Sequence, residues 1–196
     1  MKIKVFNTSE YLRMPWKNKQ GYTLQLASSH SSLENFDWRI SIADVNQNSV
    51  FSKFENKYRL ISLLEGKGFI LDNQLTQDKV NLKKNEIYHF SGDAFIASEL
   101  IDGPIRDFNL IYNPTLFNAA MNYHSKDLNI SVNGDLKIIF IFNADKSDLI
   151  IKVNQTHFCL KEYELLKVEN EDLSQIDFQI SRDSLSYFII QLQSMY

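Results

Sequence analysis

Two arginines in this sequence, Arg39 and Arg59, stand where a guanidinium group could bind a small anion. Arg39 alternates with Trp38 and Ile40, so a strand would turn the arginine and these apolar residues to opposite faces. Arg59 begins an apolar strand, where a cation is costly unless it is exposed or paired. In the mouth of a barrel, a guanidinium group can hold a carboxylate through two parallel hydrogen bonds. The alternative for these arginines is an ion pair with one of three acids, Asp44, Glu55 or Asp107.

Aromatic, amide and hydroxyl side chains that would complete such a site are spread along the N-terminal half. Trp16, Lys17 and Asn18 follow a proline and offer a flat apolar wall, a cation and an amide. Alternatively, Trp16 plugs one end of a barrel and its two polar neighbours are solvated. The further candidates, each more typical of packing or turns when taken alone, are Thr23, Phe51, Ser52, Phe54 and Asn109.

Catalytic chemistry has weaker candidates in this sequence. His89 adjoins Phe90 at the end of a strand, where it would be a proton donor or, more simply, a surface or capping residue. Asp107 would act as a base or orient an arginine. Cys159, the single cysteine, lies in an apolar stretch, and we expect a buried thiol there rather than a nucleophile.

Metal and cofactor sites are not indicated. Two histidines at positions i and i+2 of a strand would share a face and could hold a metal ion. The four histidines of this chain are far apart in sequence, and no glycine-rich phosphate loop is present. We therefore expect a site without metal or other cofactor.

Composition places the chain among globular proteins. Its 196 residues include 44% hydrophobic and 23% charged residues, and the net charge of −3 comes from interspersed acids and bases. The sequence lacks the basic stripe that is typical of a nucleic-acid-binding surface, and no apolar run is long enough to cross a membrane. The N-terminus alternates polar and apolar residues, unlike a signal peptide. We expect a cytoplasmic bacterial protein whose exposed sheet edges would support a homodimer.

Short runs rich in Ile, Val, Phe and Tyr, separated by polar turns, predict strands almost throughout. The helical exceptions are one or two turns at residues 115–121, after Pro114, and a short turn at residues 8–12. A faint repeat supports two similar halves, because a shift of 78 positions places residues 82–86 (Leu-Lys-Lys-Asn-Glu) on residues 160–164 (Leu-Lys-Glu-Tyr-Glu). The prediction is an all-β chain of two jelly-roll-like halves, with residues 1–122 carrying the pocket and residues 123–196 forming a second barrel that N-terminal strands could complete.

Several short motifs of the N-terminal half together resemble the HutD/Ves family of bacterial bicupins, in the RmlC-like cupin superfamily. The motifs are Trp16-Lys17-Asn18, Trp38-Arg39-Ile40-Ser41, Phe51-Ser52 with Phe54, Arg59 with Ile61, Asp102-Gly103-Pro104, and Asp107 with Asn109. The resemblance implies a bicupin fold and a pocket lined by Arg59. The HutD branch is associated with histidine utilization genes and is thought to govern that pathway, and the Ves branch is linked to stress responses. This chain departs from the family at Lys19 and Gln20, where glycines are typical.

The interpretation we favour is a metal-independent bicupin that binds a small anionic metabolite, which makes a binding protein the first choice and leaves enzymatic activity open. Arg59 would pair with a carboxylate, Lys17, Asn18 and Ser52 would form a polar wall, and Trp16, Phe51 and Phe54 would give apolar contact. By family analogy the ligand is urocanate or formylglutamate. The alternative is a metal-free isomerase, epimerase or hydrolase in which His89 or Asp107 is the base and Arg59 or Lys17 stabilises an oxyanion. A third interpretation, an interaction protein without ligand, requires an internal salt bridge to Arg59.

Overall fold

The computed structural model describes residues 1–16, 21–30, 35–133, 136–171, 174–181 and 186–196. In this part of the chain nearly all regular structure is β, and the one helical turn is a 3-10 turn at Thr8–Glu10. None of the described helices is long and apolar enough to cross a membrane. The chain divides into two compact units, which we call the first unit (Tyr11–Pro114) and the second unit (Met1–Glu10 with Thr115–Tyr196).

The strands β1 to β19 follow one another along the chain. Those up to the end of the first unit are β1 (Lys2–Phe6), β2 (Leu12–Pro15), β3 (Gly21–Ser28), β4 (Trp38–Val45), β5 (Ser49–Val50), β6 (Tyr58–Glu65), β7 (Phe69–Asn73), β8 (Asp78–Leu82), β9 (Ile87–Ser91), β10 (Ile96–Leu100) and β11 (Ile105–Tyr112). The remaining strands are β12 (Phe117–His124), β13 (Leu128–Val132), β14 (Leu136–Asn143), β15 (Leu149–Val153), β16 (Thr156–Leu160), β17 (Leu165–Glu169), β18 (Ile176–Ser181) and β19 (Tyr187–Ser194).

The first unit is a jelly roll of two antiparallel sheets. A six-stranded sheet has the order β2-β3-β4-β11-β6-β9, and a four-stranded sheet has the order β5-β10-β7-β8. Alternate residues of β6, such as Ile61 and Leu63, pack against Phe69 and Leu71 of β7 in a buried cluster between the sheets. Each large apolar side chain buried in this way contributes about 1.5–3 kcal/mol relative to exposure.

The second unit repeats this topology. Its sheets have the orders β1-β17-β14-β19-β12 and β13-β18-β15-β16, so β12 to β19 take the places of β4 to β11 in order. The shift of 78 residues carries β6, β8 and β9 onto β14, β16 and β17 with the same bounds. It also preserves a turn, because the backbone N–H of Lys83 donates to the Glu86 carboxylate at 2.9 Å and that of Lys161 to Glu164 at 2.8 Å. The all-β, two-jelly-roll architecture expected from the sequence is confirmed.

Local signals misled the sequence analysis at two places. The helical turns expected at residues 115–121 are wrong, because this segment leads into β12, which pairs with β19 along its full length. A cap signal after Pro114 is local, and the long-range hydrogen bonds of a sheet override it. The burial expected for Cys159 is also wrong, because β16 alternates and turns Leu160 inward and the thiol to solvent.

The boundary between the units also differs from the one expected from the repeat. The first unit ends at Pro114, and residue 122 lies inside β12. The N-terminal strand β1 belongs to the second unit, where it pairs with β17.

Candidate ligand-binding site

A cavity of about 570 Å³ opens in the first unit between its two sheets. Its walls come from β2 and β3, the inner face of β4, β6 and β11, and the segment that starts at β5. The lining residues are Met14, Pro15, Trp16, Thr23, Arg39, Ser41, Ala43, Ser49, Val50, Phe51, Ser52, Phe54, Arg59, Asp107, Asn109 and Ile111. The cavity thus collects most of the side chains that the sequence marked as ligand-binding candidates.

Strand register brings the polar lining together. Strand β11 lies between β4 and β6, and Ile111 is the Cα partner of both Arg39 and Arg59. Asn109 and Asp107 follow at two-residue steps along β11, so they share the face on which the two arginines lie. Residues far apart in sequence therefore form one polar surface because three neighbouring strands pair in this register.

Arg59 is buried in the cavity wall with only part of its hydrogen-bonding capacity used. Its side chain Nη2 donates to Oδ1 of Asn109 at 2.8 Å, and its Nε has no hydrogen-bond partner among the described residues. The guanidinium carbon lies 4.7 Å from the ring centroid of Phe51 and 5.1 Å from that of Phe90. Burial lowers the pKa of Arg59 to about 10, so the group stays charged at neutral pH. An amide and aromatic faces support this cation.

The ion pairs that the sequence allowed for Arg59 do not form. Asp44 is engaged by Arg106, whose Nε lies 2.6 Å from Oδ1 of the carboxylate. Arg106 also bridges to Glu65 at 3.0 Å. Within the described residues, no carboxylate oxygen lies within 4.0 Å of a nitrogen of Arg59. Its charge is therefore not paired with any carboxylate of the described residues.

Asp107 is the buried acid of the cavity, with 2% of its surface exposed. Its carboxylate accepts a hydrogen bond from Nδ2 of Asn109. Burial raises the pKa of Asp107 to about 7, although the charge of Arg59 and the Asn109 hydrogen bond oppose the shift. The carboxyl group is therefore present in both protonation states near neutral pH. Arginine can only donate and carboxylate only accept, so the two neighbours fix the orientation of the Asn109 amide.

Arg39 adds a second buried cation to the same wall. Its guanidinium carbon lies 4.8 Å from the ring centroids of both Phe36 and Phe54. Burial lowers the pKa of Arg39 to about 10. The charge of Arg39 in turn lowers the pKa of Arg59, whose guanidinium lies 5.7 Å from the same Phe54 ring. Two like charges in a poorly solvated wall make the cavity attractive to an anion.

The segment after β5 carries Phe51, Ser52 and Phe54 into the cavity wall. The backbone N–H of Phe51 donates to the carbonyl of Ile96, and that of Phe54 to the carbonyl of Gly92, each at 2.9 Å. A Cβ atom at Gly92 would lie only 2.4 Å from the Phe54 carbonyl oxygen. Glycine is therefore required for this segment to dock so closely.

The Trp16 end of the cavity is held by one side-chain hydrogen bond. Its indole Nε1 donates to the hydroxyl oxygen of Thr23 at 2.9 Å. A Cβ atom at Gly21 would lie 3.1 Å from the Trp16 ring and 2.3 Å from the Asp44 carbonyl. Lys17 and Asn18, which the sequence placed in the polar wall, lie outside the described residues, as do Lys19 and Gln20.

His89 does not line the cavity. It lies exposed on β9, with Nε2 3.3 Å from the Tyr112 hydroxyl and its ring centroid 5.1 Å from that of Tyr58. Burial of part of the ring lowers the pKa of His89. Of the two acid–base candidates, Asp107 alone is a lining residue.

Sequence reasoning missed some of the lining. Ser41 was detectable, since it lies two residues from Arg39 on the same strand face. Ser49 and Val50 belong to a two-residue strand and carried no local signal. The rings of Phe36 and Phe90 contact Arg39 and Arg59 respectively, and neither ring is among the sequence-predicted site residues.

Comparison with known proteins identifies the family. Residues 8–187 match HutD, which is most of the chain. The chain belongs to the HutD family. An uncharacterized 21.2 kDa protein in the hutC 3' region of Pseudomonas putida is 30% identical over 173 residues, covering 87% of this chain and 88% of that protein. Protein Ves of Citrobacter koseri is 32% identical over 99 residues, covering 49% of this chain and 50% of that protein.

Two solved structures are similar over the whole chain. A conserved protein of unknown function from Pseudomonas aeruginosa has a TM-score of 0.91 at 28% identity, covering 99% of this chain and 100% of that chain. HutD from Pseudomonas fluorescens, in a formate condition, has a TM-score of 0.85 at 28% identity and covers 100% of both chains. The resemblance to the HutD/Ves family is confirmed.

The sequence motifs that carried the resemblance lie between residues 16 and 109. Lys137, which the 78-residue repeat places opposite Arg59, is exposed, and its Nζ donates to the Tyr196 carbonyl at 3.1 Å. The interior of the second unit is an apolar cluster that includes Ile139, Ile141 and Ile189. Across the described residues, no group of three or more His, Cys, Asp or Glu side chains could hold a metal ion.

Proposed function

We propose that this HutD-family protein binds a small carboxylate ligand in the cavity of its first unit, as a binding protein that needs no metal. The observation that carries the proposal is Arg59, a buried cation in the cavity wall with an unpartnered Nε and no ion pair in the described residues. A buried charge is costly unless it is paired, so an entering carboxylate supplies an ion pair that Arg59 lacks among the described residues. Bidentate hydrogen bonding suits the planar carboxylate.

Cavity size and apolar walls support a metabolite rather than a simple ion. Ligand pockets have volumes of about 300–1,000 Å³ and are mostly apolar with a few convergent polar groups. This cavity, at about 570 Å³, combines the rings of Trp16, Phe51 and Phe54 with its two arginines. Urocanate and formylglutamate fit this chemistry, and membership of the HutD family and the hutC-region relative support a role in regulating histidine utilization.

The test is a thermal-shift and calorimetry screen with urocanate, formylglutamate, glutamate, histidine and formate. Imidazole, which lacks a carboxylate, is the matched ligand for urocanate. A ligand that binds only the folded state raises the melting temperature. At a ligand concentration of 100 Kd, the free energy of unfolding increases by about 2.7 kcal/mol. We expect at least one carboxylate to stabilise the protein and imidazole to have no effect.

Two matched variants locate the binding. Arg59→Met keeps the length of the side chain and removes its charge, so the ligand-induced shift should disappear. Lys137→Met makes the same change at the repeat-related position of the second unit, and the shift should persist. A folded wild-type protein that responds to none of the acids, or an equal shift in Arg59→Met, would overturn the proposal.

Asp107 supports a second candidate function, a metal-free isomerase, epimerase or hydrolase. A lining carboxyl group with a pKa of about 7 can both accept and donate a proton at neutral pH. Arg59 lies one amide away and would stabilise an oxyanion. NMR of a bound acid in D₂O separates the two functions. Product formation, or exchange of a carbon-bound hydrogen for deuterium, indicates an enzyme if Asp107→Asn abolishes it. An unchanged ligand indicates a binding protein.

A further inference from the structure

Asp107 lines the same cavity as Arg59, so an anion bound there would compete with Asp107 for the positive charge of Arg59. It is the one carboxyl group among the described residues that line the cavity. Arg59 partly offsets its charge through Asn109, whose Oδ1 accepts from Arg59 while its Nδ2 donates to Asp107. A ligand carboxylate that binds Arg59 would bring a second negative charge to the same cation.

The other charged groups around Asp107 are one cation of the cavity wall, a nearby acid and an arginine that is engaged elsewhere. On β4, Arg39 is a cation of the same wall, and Asp44 adds a repulsive negative charge. Arg106, next to Asp107 on β11, is engaged by Asp44 and by Glu65 of β6.

The remaining elements around the cavity add little charge. On β3, the Tyr22 hydroxyl is hydrogen-bonded to Asp44, which raises the pKa of that tyrosine. From the four-stranded sheet and the segment after it, the lining residues Ser49, Val50, Phe51, Ser52 and Phe54 carry no titratable side chain.

We propose that Asp107 takes up one proton from solvent when the cavity binds its anion, so that the ligand replaces Asp107 as the negative partner of Arg59. The inference rests on the proposed function and specifies how the same site responds to pH. Two carboxylates that share one poorly solvated site repel each other, which raises the pKa of one of them and favours its protonation. The proton moves from bulk water to an Oδ atom of Asp107, and no covalent bond of the ligand changes. The neutral carboxyl group then has an O–H that can donate toward the bound carboxylate.

Proton uptake makes anion affinity fall as pH rises. Below the pKa of Asp107 in the free protein the carboxyl group is already neutral, and binding takes up no proton. Above that pKa each bound anion must bring a proton, and the logarithm of affinity falls with pH with a slope approaching −1. With the free pKa at about 7, affinity should fall about tenfold between pH 6 and pH 8.

The experiment is isothermal titration calorimetry with formate and with N-formylglutamate, neither of which changes charge between pH 6 and pH 9. Titrations at pH 8 in Tris and in HEPES, which differ in ionisation enthalpy, count the protons taken up per ligand. We expect about one proton at pH 8 and nearly none at pH 6.

Asp107→Asn is the central variant because its amide resembles the neutral carboxyl group in shape. It should bind with similar affinity at pH 6 and pH 8 and take up no proton. Glu164→Gln changes a buried acid of the second unit and should keep the wild-type pH dependence.

Three outcomes are decisive. Proton uptake that Asp107→Asn abolishes supports the inference. Ligand binding by the wild-type protein without proton uptake, or with uptake that survives in Asp107→Asn, overturns the inference and leaves the proposed function standing. Absence of binding of both acids at pH 6, at concentrations up to 100 mM formate, overturns the inference, and it overturns the proposed function as well if urocanate, glutamate and histidine also fail to bind.

Discussion

Arg59 and Asp107 line one cavity, and the amide of Asn109 stands between them in place of a direct ion pair. The arrangement keeps the cation oriented, and its Nε has no partner in the part of the chain that the structure describes. A direct pair would neutralise the arginine and remove the attraction for an incoming anion. The amide therefore orients the guanidinium group without neutralising its charge.

Asn109→Asp tests this role of the amide. The new carboxylate would accept from Arg59 at the position of the present Oδ1, which lies 2.8 Å from Nη2, and would form an internal ion pair. We expect the ligand-induced thermal shift to be lost between pH 6 and pH 8, while the protein stays folded. Asn129→Asp, an exposed change on β13, should leave the shift unchanged. Full ligand binding by Asn109→Asp would show that the neutral amide is not needed.

Asp107→Asn should change how stability depends on pH. The pKa of the carboxyl group is raised in the folded protein from 3.8 to about 7, so the folded state holds the proton more tightly than the unfolded state. The contribution of this group to stability is therefore complete below pH 4 and is lost as pH rises toward and through 7.

Urea unfolding at pH 5 and at pH 8 measures this effect in the absence of ligand. The asparagine variant cannot lose a proton, so its stability relative to wild type should rise between the two pH values by on the order of 3 kcal/mol. Glu164→Gln serves as the control. Equal differences at pH 5 and pH 8 would contradict the raised pKa of Asp107.

Gly92 is not a lining residue, but Gly92→Ala should displace part of the cavity wall. The added Cβ would lie 2.4 Å from the carbonyl oxygen of Phe54 and 2.9 Å from that of Lys57, so the segment that carries Phe51 and Ser52 must shift. We expect a loss of about 1–3 kcal/mol in unfolding free energy and weaker ligand binding.

Gly103→Ala provides the comparison. Gly103 has a φ of +75° and no atom within 4 Å of the added Cβ, so the change costs only backbone strain of about 1 kcal/mol and should leave binding intact. Similar binding in the two variants would show that the Phe51–Phe54 segment does not determine affinity.

Trp16 should report ligand binding by its fluorescence. Of the two tryptophans, Trp16 lines the cavity and donates to Thr23, whereas Trp38 is 3% exposed and lies on the opposite face of β4 from Arg39. A ligand next to the indole should change the emission of the wild-type protein and of Thr23→Val. The change should vanish in Trp16→Phe, and a response that persists there would place the ligand away from this wall.

The fold was predictable because its signals are local and repeated. Alternation in Trp38–Ser41 correctly separated the arginine from its apolar neighbours, since side chains point to opposite faces of any strand. The 78-residue repeat carried three strands and one turn onto their counterparts, because a duplicated unit keeps the spacing of its hydrophobic and turn residues. Residues 115–121 suggested a helix, but the conformation of β12, which begins at Phe117, is decided by pairing with β19, far along the chain.

Much of the candidate site was identifiable by residue type, but its electrostatics were not. The sequence shows Arg59 and three acids that could pair with it, but it does not show which acid accepts a hydrogen bond from which arginine. The strand register across β4, β11 and β6 pairs Asp44 with Arg106 in an ion pair and places Asn109 beside Arg59. His89 illustrates the same point, because its position next to Phe90 on β9 turns it to the face away from the cavity.

The amino-acid sequence by itself determined the strands, the duplicated jelly roll and the residue types that the first unit offers to a ligand. These properties follow from hydrophobic periodicity, turn chemistry and spacing, all of which act over a few residues. Only the tertiary structure decided that Arg59 and Asp107 share a cavity and that Asn109 joins them. Burial and strand register set both relationships, and each depends on contacts between residues about 50 positions apart.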